Sequence, residues 1–148
     1  MLTGARIGVL NHMQKGDQMR QIWQLDENGC GIACIAMLAG IGYRQAKREL
    51  YAGTSRRTST FTDTRDLRRV LKRFGFKTSG HLRSLRGRQL IDLRSDAILK
   101  VNPRPDGSWH WVIWDATRKR ILDPKGPRRG PYRYSSYLLV QPAGRSRP

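Results

Sequence analysis

The chain has 148 residues, a length typical of a single domain with one hydrophobic core. Two cysteines are too few for a disulfide framework, residues 1–20 lack the apolar core of a signal peptide, and no apolar run approaches the ~20 residues of a membrane span; we therefore expect a cytoplasmic protein. The net charge of +18, from 29 Lys and Arg against 11 Asp and Glu, predicts attraction to nucleic acid, anionic lipid or an acidic protein.

A short apolar helix that begins at Cys30 is the first distinct element, after a poorly defined N-terminal arm over residues 1–20. Asn28 is a good N-cap candidate and Gly40 a good C-terminal stop. Cys30 then lies in the first helical turn, where free backbone N–H groups and the helix dipole favour a thiolate over a thiol. Cys34 follows one turn later and is expected to be a packing residue. A disulfide between the two is not expected, since side chains at this spacing point in parallel.

Two further helices are predicted before the sheet begins. Residues 44–51 have a small apolar side, and residues 62–74 are clearly amphipathic, with Thr62 or Asp63 as the cap. The apolar positions of the second helix are Leu67, Val70, Leu71 and Phe74. Its other face is rich in Arg and Lys, which indicates a solvated face or, as the alternative, a docking surface.

The C-terminal half has the pattern of an antiparallel sheet. Strands are predicted over residues 76–82, 97–101, 109–114, 119–122 and 132–140, with an ambiguous segment over 83–93 that ends as a short helix near Asp92. A basic loop rich in Gly and Pro covers residues 125–131. Residues 142–148 form a basic tail, and the chain should fray from Gln141 to Pro148. Helices followed by an antiparallel meander predict an α+β domain over residues 21–141.

The predicted hairpin of residues 109–123 brings a histidine close to a carboxylate. If Ala116 and Thr117 form its loop, His110 lies opposite Asp123; a slip by two residues is easy, but it keeps both side chains at one end of the sheet. A carboxylate beside an imidazole fixes its tautomer and stabilises its charged form. Each residue alone has an ordinary interpretation. His110 would be a hydrogen-bonded histidine within a sheet, and Asp123 would be a turn former before Pro124.

Gln24 adds a fourth group, because its amide could donate an N–H to a developing oxyanion near Cys30. Together, Gln24, Cys30, His110 and Asp123 supply the groups of a thiol hydrolase. The chain has no CxxC or HxxxH spacing, so no metal or other cofactor is expected.

These residues carry a resemblance to a known family. The segments are Gln24-x5-Cys30-Gly31-x-Ala33-Cys34-x-Ala36-Met37, Leu71-x2-Phe74-Gly75-Phe76, Ala97-Ile98-Leu99-Lys100-Val101-Asn102, His110-Trp111-Val112-Ile113 and Ile121-Leu122-Asp123-Pro124. In this order, over residues 24–125, they resemble the bacteriocin-processing peptidases, papain-like cysteine proteases that remove double-glycine leader peptides.

The resemblance implies a papain-like fold and a role for each candidate residue. Cys30 would be the nucleophile, His110 the general base, Asp123 the residue that orients it, and Gln24 the oxyanion-hole glutamine, whose spacing selects Cys30 over Cys34. Gly29 departs from the family, since many relatives have an acidic residue before the cysteine.

Three hypotheses follow for the function. The first is a cysteine peptidase that hydrolyses a peptide or isopeptide bond in a peptide or protein substrate. The positive charge of the chain could help to recruit an acidic substrate. The second is a related acyl-transfer enzyme, such as a deamidase or a transglutaminase, because the acyl-enzyme is common to these reactions. The third is a basic protein on an inactive protease fold, with arginines of the 62–74 helix and the 118–133 region binding nucleic acid or an acidic protein. The sequence leaves the oligomeric state open.

Overall fold

The structure, a computed structural model, describes residues 18–54, 57–85, 89–127 and 130–144. Most of the predicted N-terminal arm and the end of the predicted tail lie outside these residues. The helices are α1 (Cys30–Ala39), α2 (Tyr43–Tyr51) and α3 (Thr64–Arg73), with a 3-10 turn at Leu90–Asp92. The strands are β1 (Phe76–Thr78), β2 (Arg83–Ser84), β3 (Ala97–Val101), β4 (His110–Asp115), β5 (Arg120–Leu122) and β6 (Tyr134–Pro142). Three helices before an antiparallel sheet confirm the α+β prediction.

Helix α1 is the central element of the core, and every one of its residues is buried. It begins at Cys30 as predicted and ends at Gly40, which takes the left-handed conformation (φ 71°) that favours glycine. The predicted N-cap was wrong, because Gly29 occupies that position and no side chain caps the helix. Asn28 is exposed instead. The first N–H groups of α1 therefore carry no capping side chain.

Helices α2 and α3 pack beside α1 through their apolar sides. Asp63, rather than Thr62, caps α3: its carboxylate accepts from Asp66 N at 2.8 Å, and the Asp66 carboxylate accepts from Asp63 N at 3.1 Å. Two of the predicted outward arginines are paired, Arg69 with Asp66 at 3.6 Å and Arg73 with Glu49 at 2.9 Å. The basic face is thus partly neutralised.

The sheet departs from the predicted meander. Its strand order is β1-β6-β3-β4-β5, with β2 also paired to β6. Only β3, β4 and β5 follow one another as a meander, because the last strand inserts between β1 and β3. Gln141 and Pro142 belong to β6, opposite Lys77 and Phe76, so the fraying expected at these two positions was wrong. The segment of residues 83–93 was also mispredicted in part, since Arg83 and Ser84 form a strand.

The register of the β4–β5 hairpin is shifted by two residues from the predicted one. Ile113 pairs with Leu122 and Asp115 with Arg120, so the loop has four residues (116–119) instead of two. The side chain of Asp115 stabilises the longer loop, because it accepts from Arg118 N at 3.2 Å and from Arg120 Nε at 3.0 Å. The two faces of β4 alternate, with Trp111 and Ile113 in the helix-side core and Val112 and Trp114 on the other face.

The segment that precedes α1 is extended and runs along the hairpin. Gln21 Nε2 donates to Asp123 O at 2.6 Å, and Gln24 N donates to Pro124 O at 2.9 Å. These bonds hold the segment before Cys30 against the turn that contains Asp123. Within the described residues no helix is both long and apolar enough to cross a membrane.

Candidate active site

The Cys30 thiol lies at the point where the N-terminus of α1 meets the start of β4. Its side chain is buried, with 7% of the residue exposed, and Sγ accepts from Trp111 N at 3.5 Å. Gly31, the next residue, allows Thr62 to pack close to the first turn of α1, because a Cβ at this position would overlap the Thr62 side chain. Cys30 therefore sits against the first residues of β4, one of which is His110.

His110 and Asp123 are in direct contact. His110 Nε2 lies 2.8 Å from Asp123 Oδ1, and both residues are only 7% exposed. With Nε2 as the donor, Nδ1 is the ring nitrogen left for the hydrogen bond to Cys30. The structure thus pairs His110 directly with Asp123 and places Cys30 against the neighbouring residue Trp111, although Asp123 lies just beyond β5 and not opposite His110 in the ladder.

The electrostatics of the pair favour a charged imidazole. Burial lowers the pKa of His110, but the hydrogen bonds and negative charges of Asp123 and Cys30 outweigh it and raise that pKa from 6.5 to about 9. Burial likewise raises the pKa of Asp123, yet the hydrogen bonds from His110, Tyr132 and the Lys125 backbone bring it below its ordinary value. At neutral pH the pair is therefore an imidazolium beside a carboxylate.

Two groups that were not predicted from the sequence hold the Asp123 carboxylate. Tyr132 Oη donates to Oδ2 at 2.7 Å, and Lys125 N donates to Oδ1 at 2.8 Å. The Lys125 bond is local to the turn after Asp123, a signal that the Asp-Pro sequence carries. Tyr132 comes from the far side of the basic loop, and no spacing in the sequence indicates this contact.

Aromatic packing fixes the start of β4. Trp109 meets Phe61 and Trp111 edge-on, with centroids 5.1 Å and 5.6 Å away. Trp111 Nε1 also donates to Thr62 O at 3.0 Å. Because the residues on both sides of His110 are anchored in this way, its backbone has little freedom to move.

Gln24 lies in the loop that leads to Cys30, but its amide is engaged within that loop. Nε2 donates to Asp26 O at 2.9 Å and to Glu27 O at 2.8 Å, which uses both of its protons. Oε1 is buried and has no hydrogen-bond partner among the described residues. The amide donor of Gln24 is therefore turned to the backbone of its own loop.

Residues 18–137 match the Peptidase C39 family, which comprises bacteriocin-processing cysteine peptidases. The chain belongs to this family. The match spans well over half of the chain and includes all four candidate residues. It confirms the resemblance found in the sequence, and the observed fold is consistent with the papain-like α+β fold of C39 peptidases. A search of curated proteins found no match.

The space beside Gly29, the residue before Cys30 in this C39 chain, is filled by a neighbouring side chain. A Cβ at Gly29 would overlap Tyr43 Oη, which donates to Asp26 Oδ2 at 2.7 Å. Lys47 Nζ lies 3.1 Å from the same oxygen. The loop before Cys30 thus contains a carboxylate, that of Asp26, which two side chains of α2 hold in place.

Cys34 of this C39 domain is a packing residue, as its position on an apolar helix suggests. It has no exposed surface, and burial raises the pKa of its thiol well above the ordinary value. A buried neutral thiol is a poor nucleophile. Among the described residues no group of three or more His, Cys, Asp or Glu side chains is arranged to hold a metal ion.

Proposed function

We propose that the protein is a cysteine peptidase in which Cys30 is the nucleophile, His110 the general acid and base, and Asp123 the residue that orients the imidazole. The observation that carries the proposal is the buried His110–Asp123 pair at 2.8 Å, with the second ring nitrogen left for a cysteine in the first turn of a helix. Membership in a family of cysteine peptidases supports the same reaction class.

The acylation step begins with a thiolate and an imidazolium. Cys30 Sγ attacks the carbonyl carbon of the scissile peptide bond, and the carbonyl oxygen becomes an oxyanion. His110 Nδ1 gives its proton to the leaving amine, the C–N bond breaks, and a thioester to Cys30 remains. The Asp123 carboxylate stabilises the imidazolium until that proton leaves.

The deacylation step reverses the roles of the imidazole. Neutral His110 accepts a proton from water, the hydroxide attacks the thioester carbonyl, and Cys30 leaves as a thiolate. The products are the acid and the regenerated thiolate–imidazolium pair, so atoms and charges balance without a cofactor. Ammonia would leave in place of an amine if the substrate were a glutamine side chain, which is the deamidase alternative.

Two donors are proposed for the oxyanion. The Cys30 backbone N–H is one, since the first N–H groups of a helix have no intrahelical partner. The Gln24 amide is the other, and it must release Asp26 O or Glu27 O to donate to substrate. Catalytic hydrogen bonds are often formed only in the substrate complex, so the loop contacts of Gln24 describe the free enzyme.

The two cysteines provide a matched pair of variants to test the proposal. A library of synthetic peptides is incubated with the wild type, Cys30→Ala and Cys34→Ala, and products are read by mass spectrometry together with released ammonia. We expect peptide cleavage by the wild type and by Cys34→Ala, and none by Cys30→Ala with an unchanged circular dichroism spectrum. Turnover that survives Cys30→Ala would contradict the proposal, and ammonia without cleavage would favour the deamidase.

A further inference from the structure

A cavity of about 670 Å³ opens directly beside the His110–Asp123 pair. Both residues line it, and three cationic side chains join them: Arg104, Lys125 and Arg133. The cations come from three places, the β3–β4 loop, the turn after Asp123 and the segment before β6. The basic loop over residues 125–131, part of the region that the third hypothesis assigns to binding, thus contributes one wall of this cavity.

The three cations form no ion pair with an acid among the described residues. Elsewhere several cations are paired, for example Lys47 with Asp26 and Arg120 with Asp115. None of the three at the cavity takes part in an ion pair. An exposed carboxylate does lie close to Arg104, that of Asp106, whose pKa is lowered by hydrogen bonds from Ser108 and by the Arg104 charge.

The one acid that lines the cavity among the described residues is Asp123, and its oxygens are already occupied. They accept from His110 Nε2, Lys125 N and Tyr132 Oη. The charge of Asp123 is also balanced by the imidazolium. The remaining field in the cavity is therefore positive.

Both guanidinium groups are partly held in place. Arg104 Nη1 donates to Ser108 Oγ at 3.0 Å, and Arg133 Nη2 donates to Pro103 O at 3.1 Å. The Arg133 backbone N–H is fixed by Asn102 Oδ1 at 2.8 Å. Each guanidinium keeps further N–H groups free, and less side-chain entropy is lost when a ligand binds.

We propose that this cationic cavity, formed by Arg104, Lys125 and Arg133, is a subsite for a carboxylate of the peptide substrate near the scissile bond. The inference rests on the proposed function, since it takes Cys30 and His110 as the reacting centre. The parallel N–H groups of a guanidinium match the geometry of a carboxylate. The cavity also lies next to the imidazole of His110, which must contact the substrate. An aspartate or glutamate that flanks the scissile bond would be preferred over its amide.

A pair of thiol reagents tests the subsite without a known substrate. The amides of N-iodoacetyl-aspartate and N-iodoacetyl-asparagine differ only in one carboxylate, and both alkylate a thiolate with loss of iodide. Rate constants at Cys30 are measured by mass spectrometry for the wild type and for Arg104→Gln/Arg133→Gln. Arg65→Gln/Arg68→Gln, on the exposed face of α3, removes the same charge away from the cavity and is the matched control.

The expected result is a ratio of rate constants, aspartate reagent over asparagine reagent, of about five to ten in the wild type, as two charge-assisted contacts would give. The ratio should fall towards one in the cavity variant and stay high in the control. A wild-type ratio near one, or an equal fall in both variants, would overturn the subsite. Slow reaction of wild-type Cys30 with both reagents at pH 7 would instead contradict the proposed function, and the ratio would still report on the cavity.

Discussion

Replacement of Asp123 by asparagine separates the charge of this residue from its shape. The carboxylate accepts from His110 Nε2 and Lys125 N on one oxygen and from Tyr132 Oη on the other. Asparagine can keep the first two bonds through its carbonyl oxygen and donate to the tyrosine oxygen through its amide. We therefore expect Asp123→Asn to fold and to keep the imidazole in place, but without the negative charge.

The structure gives the size of the expected effect. The rise in the pKa of His110 from 6.5 to about 9 corresponds to about 3 kcal/mol in favour of the imidazolium. This free energy is what remains of the interactions of His110 with Asp123 and Cys30 after the cost of burying the imidazolium is subtracted. If Asp123 supplies about half, Asp123→Asn lowers the titration midpoint of His110 by about one pH unit.

The assay is a titration of the histidine ring protons by NMR, with His110→Gln to identify the signal among those of His12 and His81. The wild-type midpoint should lie near 9, and activity should fall as the pH rises through the same value because the imidazolium is lost. A wild-type midpoint near 6.5, or one that Asp123→Asn leaves in place, would refute the argument.

The stability of the folded protein should depend on pH through the same two residues, His110 and Asp123. The pKa of His110 is raised on folding, so its stabilisation is complete below about 6.5 and is lost as the pH rises through about 9. The pKa of Asp123 is lowered on folding, so its stabilisation is present above 3.8 and is lost as the pH falls through the folded value. In urea unfolding, Asp123→Asn should therefore lower the free energy of unfolding most between pH 3.8 and about 9, and less at pH 10. An equal loss at pH 7 and pH 10 would contradict the proposed interaction between the imidazolium and the carboxylate.

Two further substitutions test how the site is held. Gly31→Ala should destabilise the protein by about 1–3 kcal/mol in urea unfolding and lower kcat, because the new Cβ displaces Thr62; Gly42→Ala, which meets open space, is the control and should change neither strongly. Tyr132→Phe removes the donor to Asp123 Oδ2, so kcat should fall about fivefold with KM unchanged, about 1 kcal/mol of transition-state stabilisation. Equal effects of the two glycine variants, or a rise in KM alone for Tyr132→Phe, would contradict these roles.

Local signals predicted the elements that position the nucleophile. The apolar run after Cys30, the stop at Gly40 and the limits of β3 follow from propensity and periodicity, which act within a few residues. The contact of His110 with Asp123 was also predicted, since a hairpin of either register leaves both at one end of the sheet.

The features that were missed depend on distant or side-chain contacts. The hairpin register is set by Asp115, which bonds to the turn, and by Lys119 in the left-handed conformation (φ 55°). The insertion of β6 beside β3 depends on the packing of the whole sheet and leaves no local pattern. The contact from Tyr132 to Asp123 requires the path of the basic loop, which the sequence does not specify.

The pH dependence of Cys30 alkylation by iodoacetamide tests the central claim most directly, with Cys34→Ala to exclude the second thiol and His110→Ala to remove the partner. The account predicts a reaction at Cys30 that is already fast below pH 7 and is slowed strongly in His110→Ala. A rate that rises only as an ordinary thiol ionises, near pH 8.5, and is the same in both proteins would show that Cys30 and His110 do not form an activated pair.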